Sequence, residues 1–205
     1  MTGLKQMTQT EYDKMMAEEL YDVNDRQLVE QREHARDLYE TLNQTSFHDK
    51  EKLQQLINQL FGTVGIGSEV RPRFVCDYGY NIHVGNNFFA NFDCILLDTC
   101  PITIGDNALL APRVQIYTAA HPLDVKTRTS WLGCGKAVSI GNNCWLGGNA
   151  VILPGVHLGN NVSVGGGAVV TKSFGDNVVI AGNPAQVIKH LQEGEATQYR
   201  QKMGH

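Results

Sequence analysis

One histidine stands out by its position in the sequence. His121 lies in the stretch IYTAAHPLD, residues 116–124, between an apolar run and a polar loop. A neutral imidazole can accept a proton from a hydroxyl group and later return it, which is why histidine is the most frequent general base in enzymes. A lone histidine is more often structural or simply exposed. The surrounding residues must therefore decide between these two roles.

Cysteine is the other residue type here that could supply chemistry. The five cysteines are Cys76, Cys94, Cys100, Cys134 and Cys144. Their odd number and the absence of a CxxC pair argue against a disulfide framework and against a structural zinc site. None has a histidine next to it in sequence, which disfavours a thiol nucleophile. Most are expected to be small buried hydrophobic residues.

Composition limits the possible partners. The chain of 205 residues suffices for one domain with a substantial core. Its formal net charge of -4 and its scattered basic residues give no general attraction to nucleic acid or anionic lipid. The first residues lack the apolar core of a signal peptide, and no apolar run reaches the length of about 18 residues that a membrane span needs. We expect a soluble cytoplasmic protein that binds neither nucleic acid nor membrane.

The chain that must position these residues has two parts, and the first, residues 1–62, has the pattern of helices. Apolar residues recur there at helical intervals in three segments, and glycine is rare. The stripes are Met15, Met16 and Leu20; Leu28, Ala35, Leu38 and Leu42; and Leu53, Leu56, Ile57, Leu60 and Phe61. Gly62 follows the third stripe, where a helix C-terminal glycine is common. These stripes predict helices that pack against a neighbouring element.

After Gly62 the sequence repeats every six residues. From Ile140 to Val170 every sixth residue is aliphatic, and the same step runs through Val84, Ala90 and Leu96 and from Ile104 to Ile116. This period fits neither an α-helical face nor a simple alternating strand. Hexapeptide repetition indicates a parallel β-helix, in which the aliphatic side chains stack into a continuous column.

Corner residues and open ends complete the predicted β-helix. Glycine and asparagine at the expected corners suit backbone with positive φ. These residues are Gly141, Asn142, Asn143, Gly159, Asn160 and Asn161. The ends of a solenoid need caps. We therefore predict an N-terminal helical cap over 1–62, the β-helix over 63–184, and a short C-terminal helix and tail over 185–205.

One segment interrupts the repeat. Ile116 and Ile140 lie 24 residues apart, which keeps the six-residue phase, but residues 121–137 are polar and lack the repeat. They predict a loop that is extruded from the β-helix. Ordered insertions in a solenoid usually carry function, because the scaffold does not depend on them. His121 is the first residue of this loop.

Several stretches together resemble one family. They are AEELYD (17–22), CDYGYNIHVGNNFFANFDC (76–94), CPITIGDNALLAPRVQIYTAAHPLD (100–124), IGNNCWLGGNAVILPGV (140–156) and AGNPAQVIKHL (181–191). They resemble the hexapeptide-repeat acyltransferases, and among them the maltose and galactoside O-acetyltransferases. The resemblance implies a left-handed parallel β-helix with helical caps, a homotrimer, and active sites in the clefts between subunits. It also implies transfer of acetyl from acetyl-CoA to a sugar hydroxyl without a metal.

The resemblance further implies roles for individual residues. His121 matches the general base, and Gly148 matches the position whose main-chain N–H stabilises the oxyanion. The matching acceptor-binding residues are Asp22, Asp77, Asn91 and Asp93. The matching CoA-binding residues are Trp145, Gly148, Gly166, Thr171, Lys172 and Lys189, with Lys136 as a further candidate. The remaining histidines singled out, His34, His48, His83 and His157, are expected to be structural or exposed.

Two positions depart from the family pattern. In relatives a glutamate twelve residues after the catalytic histidine steadies the imidazole, and here Gly133 stands at that position. Either the loop orients His121 through a main-chain carbonyl or through Asp124, or catalysis is weaker than in relatives. Ala137 replaces a proline of the family. Both changes lie within the extruded loop.

Three other functions stay open at this point. A metal site like that of γ-carbonic anhydrase shares the β-helix but needs three converging histidines, and no second histidine follows His121 at short spacing. A non-catalytic β-helix module is suggested only by Gly133. Acetyl transfer to an acceptor hydroxyl that does not belong to a sugar is the third possibility. Residue types alone do not identify the acceptor.

Overall fold

The computed structural model describes residues 9–192. The body of the molecule is a left-handed parallel β-helix of about 6 turns, the fold predicted from the sequence. Most of its strands have only two or three residues, because the chain turns a corner after each short side. Within these strands the side chains alternate between the core and the surface, so that Val138 and Ile140 are buried and Ser139 between them is not.

The strands stack into three parallel sheets, which are the three faces of the body. The first face contains β2 (Thr63–Val64), β5 (Ile82–Val84), β8 (Ile102–Ile104), β13 (Val138–Ile140) and β16 (His157–Leu158). The second contains β3 (Glu69–Val70), β6 (Phe89–Ala90), β9 (Leu109–Leu110), β14 (Trp145–Leu146), β17 (Val162–Val164), β19 (Val178–Gly182) and an antiparallel β20 (Ala185–His190). The third contains β4 (Val75–Cys76), β7 (Ile95–Leu97), β10 (Gln115–Tyr117), β15 (Val151–Ile152) and β18 (Val169–Val170). The first, second and third corners are named after the face that each follows.

Columns of apolar side chains form the core of this body. In the second face, Ala90, Leu110, Leu146 and Val164 lie in register from coil to coil and are fully buried. Every residue of the predicted six-residue steps is buried, none with more than 4% of its surface exposed. The sequence repeat thus correctly predicted these members of the core, although other buried residues of the body, such as Phe74 and Phe88, lie outside its steps.

Asparagine residues build the first corner. Asn87, Asn107, Asn143, Asn161 and Asn177 have φ between 54° and 58°, a left-handed conformation that asparagine tolerates better than most residues. Their side chains also connect the coils: Nδ2 of Asn87 donates to Oδ1 of Asn107 at 3.0 Å, and Nδ2 of Asn107 donates to Oδ1 of Asn143 at 3.0 Å. This corner is therefore a ladder of amides on the outside of the body.

The corner glycines serve a different purpose from the one expected. Gly141 and Gly159 do not have positive φ. A Cβ on Gly141 would lie 2.5 Å from the carbonyl oxygen of Gly159 in the next coil, and a Cβ on Gly62 would lie 2.2 Å from the carbonyl oxygen of Tyr80. Glycine is needed at these positions because two backbones approach each other closely.

Helices precede the body at its N-terminal end. They are α1 (Glu11–Met16), α2 (Arg26–Gln44) and α3 (Lys50–Leu60), capped by the side chains of Thr10, Asp25 and Asp49. The stripes predicted in α2 and α3 are buried, with Leu38 only partly covered. A short strand, β1 (Tyr21–Asp22), lies between α1 and α2 and was not predicted. Among the described residues, no helix is both long and apolar enough to cross a membrane.

Residues 118–137, called the arm here, leave the third corner after β10. They contain β11 (Ala119–Ala120), α4 (Val125–Thr129) and β12 (Leu132–Gly135). β12 pairs antiparallel with β11 on one side and with β1 on the other, so that Gly133 lies opposite Tyr21. The arm is therefore an ordered hairpin that is held by the N-terminal segment.

The prediction of a short helix after Pro184 is wrong for residues 185–190. These residues form β20, which turns back at Gly182 and pairs antiparallel with β19. The physical reason is that β19 ends the second face, and its backbone N–H and C=O groups need hydrogen-bond partners that a helix would not supply. Residues 193–205 of the predicted helix and tail lie outside the described residues.

Candidate active site

His121 lies where the arm leaves the third corner. It follows β11 directly, and its side chain is exposed. Within residues 9–192 its imidazole has no hydrogen-bond partner. It lines two adjoining pockets, a larger one of about 410 Å³ and a smaller one of about 350 Å³. Both ring nitrogens are therefore available to a bound molecule.

The larger pocket is formed by three parts of the chain. The N-terminal segment contributes Tyr21, Val23, Asn24 and Arg32; the third corner contributes Asp77, Tyr78, Leu97 and Thr99; and the arm contributes Ala119, Ala120, His121, Trp131 and Gly133. Apolar walls with a few polar groups are typical of sites for small molecules. Of the residues predicted to bind the acceptor, Asp77 alone is among the residues that line this pocket with His121.

Asp77 supplies the carboxyl group of the larger pocket. Burial raises the pKa of Asp77 above its ordinary value, and the nearby Arg32 guanidinium acts in the opposite direction. The Thr99 hydroxyl donates to Asp77 Oδ2 at 3.4 Å. Arg32 is held in turn, because it donates to the Tyr78 hydroxyl and to the Val23 carbonyl, both at 2.7 Å. This wall therefore offers fixed hydrogen-bonding groups to a ligand.

Asp98 supports the same wall from the interior and was missed in the sequence. Its Oδ1 accepts from the backbone N–H groups of Asp77 and Tyr78 at 3.0 and 2.9 Å, and its Oδ2 accepts from that of Asn81 at 3.2 Å. Burial raises the pKa of Asp98 to about 7, although these donors favour the ionised form. The only sign of this role in the sequence was an aspartate directly after the apolar run ILL. Because other corners also carry aspartate, this sign did not distinguish Asp98 from them.

The space beside Gly133 is filled from the N-terminal segment. A Cβ on Gly133 would lie 2.6 Å from Val23 Cγ1 and 2.9 Å from Tyr21 Cζ. Tyr21 is only 5% exposed and lines the larger pocket. Because Tyr21 and Val23 fill this space, a glutamate at position 133 would require β1 to move. The loss of the family's glutamate is thus coupled to the packing of β1 on the arm.

Asp124 and Ala137 of the arm both make structural contacts. The Asp124 carboxylate caps α4 and accepts a hydrogen bond from the Thr127 N–H at 2.8 Å. Within residues 9–192 it forms no hydrogen bond with His121. The Ala137 N–H donates to Glu18 Oε1 at 2.8 Å. Proline could not make that bond, because it has no N–H. Ala137 therefore ties the base of the arm to the N-terminal segment.

Glycines line the second corner in the later coils. Gly148 stacks on Gly166, where a Cβ on Gly166 would lie 3.2 Å from the Gly148 carbonyl oxygen. A Cβ on Gly148 would lie 3.2 Å from the Pro112 carbonyl oxygen. Within residues 9–192 the Gly148 N–H donates to no acceptor. This corner therefore has a backbone donor that no acceptor within residues 9–192 uses, which suits the predicted oxyanion role.

Asn91 and Asp93 lie at the second corner and not beside His121. Asp93 forms an ion pair with Arg73 at 2.6 Å. Neither Asn91 nor Asp93 is among the residues that line the larger pocket. The four predicted acceptor residues are thus separated within one chain: Asp77 lies at the third corner, Asn91 and Asp93 lie at the second, and Asp22 lies in β1.

The remaining predicted residues are dispersed over the surface. Asp22 is exposed at β1, where its Oδ1 accepts from the Asn24 N–H at 2.8 Å. Trp145 is 49% exposed on the second face. Thr171 and Lys172 lie at the third corner of a late coil, and Lys172 Nζ donates to Gln186 Oε1 at 3.1 Å. Lys189 lies in β20, and the alkyl chain of Lys136 lies close to Gly155.

The cysteines and the other histidines have structural environments. All five cysteines are free, and four of them are buried. Burial raises the pKa of Cys100 to about 12 and that of Cys94 to about 11, which disfavours a thiolate. His83 contacts the Thr63 hydroxyl and His157 the Ser139 hydroxyl, both on the first face. Across residues 9–192, no group of three His, Cys, Asp or Glu side chains could hold a metal ion.

Both the helical part and the β-helix of the chain match known protein families. Residues 14–65 match the family described as the maltose acetyltransferase hexapeptide capping motif, and residues 137–172 match the bacterial transferase hexapeptide. Nodulation protein L of Rhizobium meliloti is 43% identical over 181 residues, which cover 88% of this chain and 99% of that protein.

Solved structures agree with these matches. A maltose O-acetyltransferase from Clostridium difficile 630 has a TM-score of 0.89 and 50% sequence identity, with 90% of this chain and 98% of that one covered. A galactoside acetyltransferase solved in complex with coenzyme A has a TM-score of 0.87 and 36% identity, with 90% and 92% covered. The likeness extends over nine-tenths of the chain.

Proposed function

Because this chain belongs to the maltose and galactoside O-acetyltransferase family of hexapeptide-repeat acyltransferases, we propose that it transfers an acetyl group from acetyl-CoA to a hydroxyl of a sugar. Membership of this family makes it an acyltransferase with acetyl-CoA as its acyl donor. The sugar acceptor and the part that each residue takes are our proposal. One observation carries it: the imidazole of His121, which is exposed and has no hydrogen-bond partner within residues 9–192, shares a pocket with fixed hydrogen-bonding groups.

The proposed reaction is direct transfer. His121 accepts the proton of the sugar hydroxyl while the hydroxyl oxygen attacks the thioester carbonyl. The carbonyl oxygen becomes an oxyanion, which the Gly148 N–H stabilises. Collapse of this intermediate breaks the C–S bond, and the departing CoA sulfur takes the proton from the His121 imidazolium. The products are the acetylated sugar and free CoA, and the imidazole is neutral again.

We propose that two copies of the chain form this arrangement together. His121 lies at the third corner and Gly148 at the second, on different edges of one β-helix. We propose a homotrimer in which the third corner of one chain faces the second corner of its neighbour. Asn91, Asp93 and Gly166 of the neighbour would then join Asp77 and His121 of the first chain. The split of the predicted residues into two groups supports this site, because neither group is complete alone.

The competing functions have less support. His83 and His157 make hydrogen bonds on the first face, and neither lines the larger or the smaller pocket beside His121. A metal site built on these three histidines therefore has no basis in their placement. Gly133, the only argument for an inactive module, is explained by the packing of Tyr21 and Val23. A non-sugar hydroxyl remains the main alternative acceptor.

Release of the CoA thiol tests the acceptor class. Purified protein would be mixed with acetyl-CoA and, in separate reactions, with maltose, glucose, galactosides or serine. We expect saturable thiol release with at least one sugar and none with serine. A response to serine alone would overturn the sugar assignment.

Mixed assemblies test the shared site. A chain with His121→Ala and a differently tagged chain with Gly148→Val would be co-expressed, and assemblies that carry both tags isolated. Each pure variant is expected to be inactive, while a mixed trimer keeps one interface with both halves intact and about one third of the normal activity. If mixed assemblies were as inactive as the pure variants, the site would lie within one chain.

A further inference from the structure

We propose that Trp131 is the stacking surface for the acceptor, and that the site therefore prefers a ring sugar to an open-chain hydroxyl compound. This inference rests on the proposed function and assigns a residue that no family motif singled out. Trp131 is one of two tryptophans in the chain. It lines both the larger and the smaller pocket, and His121 is the other residue common to both.

The backbone at Trp131 shows that folding alone does not favour tryptophan there. Its φ is 62°, in the left-handed region. It follows Ser130, the C-cap residue of α4, at a position where helices commonly place glycine. Its side chain is 67% exposed, so it contributes little burial in return. A large aromatic residue in such a conformation is better explained by a ligand than by packing.

The chemistry of the pocket fits a pyranose ring. The face of an indole carries partial negative charge and attracts the partially positive C–H groups on one face of a sugar ring. Asp77, Thr99 and Arg32 lie on another wall of the same pocket and offer partners for hydroxyl groups. His121 lies beside Trp131 and would meet a hydroxyl at the edge of a stacked ring. An open-chain acceptor such as serine presents no comparable C–H face.

Fluorescence tests this inference without turnover. In a Trp145→Phe variant Trp131 is the only tryptophan, and titration with maltose is expected to change its emission in a saturable manner. The matched Trp131→Phe variant, which keeps Trp145, should show no such change with maltose. A response of Trp145 alone, or no response of Trp131 to any sugar that the protein acetylates, would overturn the inference.

Kinetics give an independent readout. In Trp131→Gly we expect the KM for the sugar to rise about tenfold and the KM for acetyl-CoA to change less than about twofold. The melting temperature should stay equal or rise, because glycine suits the left-handed backbone. Trp131→Phe should recover part of the sugar affinity.

The possible failures are distinguishable. If the wild-type protein acetylated no sugar, the proposed function would fall, and the maltose titration would still decide whether Trp131 binds a sugar. If the wild type acetylated a sugar and Trp131→Gly left its KM unchanged, only the inference on Trp131 would fall. A loss of the assembled species in Trp131→Gly would identify a packing residue and would also overturn it.

Discussion

The repeating body and the arm are stabilised in different ways. In the body, strands pair in parallel with the coils before and after, and each coil adds a buried side chain to a shared column. The arm pairs antiparallel with itself and with β1, and α4 within it has no buried residue. The proposed general base lies on the arm, and the main apolar core lies in the body and the helices packed on it. Changes in the two regions should therefore affect different measurements.

The largest effect is expected from His121 on the arm. His121→Ala should lower kcat by about 10²–10⁴-fold, because general-base assistance is lost. Thermal unfolding should be unchanged, since the imidazole is exposed and has no hydrogen-bond partner among the described residues. Thiol release and a melting curve on the same sample would measure both. A matching fall in melting temperature would mean that the arm and the body are not separable in this way.

A column residue of the body should behave in the opposite manner. Leu146 is fully buried in β14, and Leu146→Ala should lower the free energy of unfolding by about 2–5 kcal/mol through the cavity it leaves. Leu109→Ala is a matched control, because Leu109 is 47% exposed on the same face. Denaturant unfolding would compare the two. Equal losses would show that the column does not dominate stability.

Gly133 tests the contact between the arm and β1. Gly133→Ala would place a methyl group 2.6 Å from Val23 Cγ1, and we expect a loss of about 1–3 kcal/mol from this overpacking. Hydrogen exchange should rise at β1 and β12 before the body is affected. Gly175→Ala is the control, since no atom lies within 4 Å of a Cβ built there. Exchange that rose throughout the body would contradict a separate contact.

The smallest effect is expected at the amide ladder of the first corner. Asn107→Gly keeps the left-handed backbone and loses two exposed amide contacts, which should cost about 0.5 kcal/mol. Asn107→Ala should cost about 1–2 kcal/mol, because alanine does not favour positive φ. Unfolding of both variants under the same conditions separates these contributions. If glycine were the worse replacement, the side-chain ladder would matter more than the backbone conformation.

The sequence predicted the two regions unequally. The six-residue step identified a column of buried residues in the body, because each coil repeats the environment of the last. The arm has no repeat, so its strands, its pairing with β1 and the role of Tyr21 beside Gly133 could not be predicted. The helix prediction after Pro184 was wrong for residues 185–190, because β19 needs a hydrogen-bonding partner and these residues supply it as a strand. The site roles taken from the resemblance stay predictions, and their split between two corners became visible only in three dimensions.

The reversal of the chain at β20 also limits growth of the molecule. A parallel β-helix can in principle add coils without end, and an open parallel edge can recruit another protein of the same kind. Here the second face ends in a strand that runs the other way and carries Lys189 and His190. A further coil would meet a strand that runs in the wrong direction and carries a lysine on this face. The same hairpin that completes the fold therefore discourages end-to-end fibre formation.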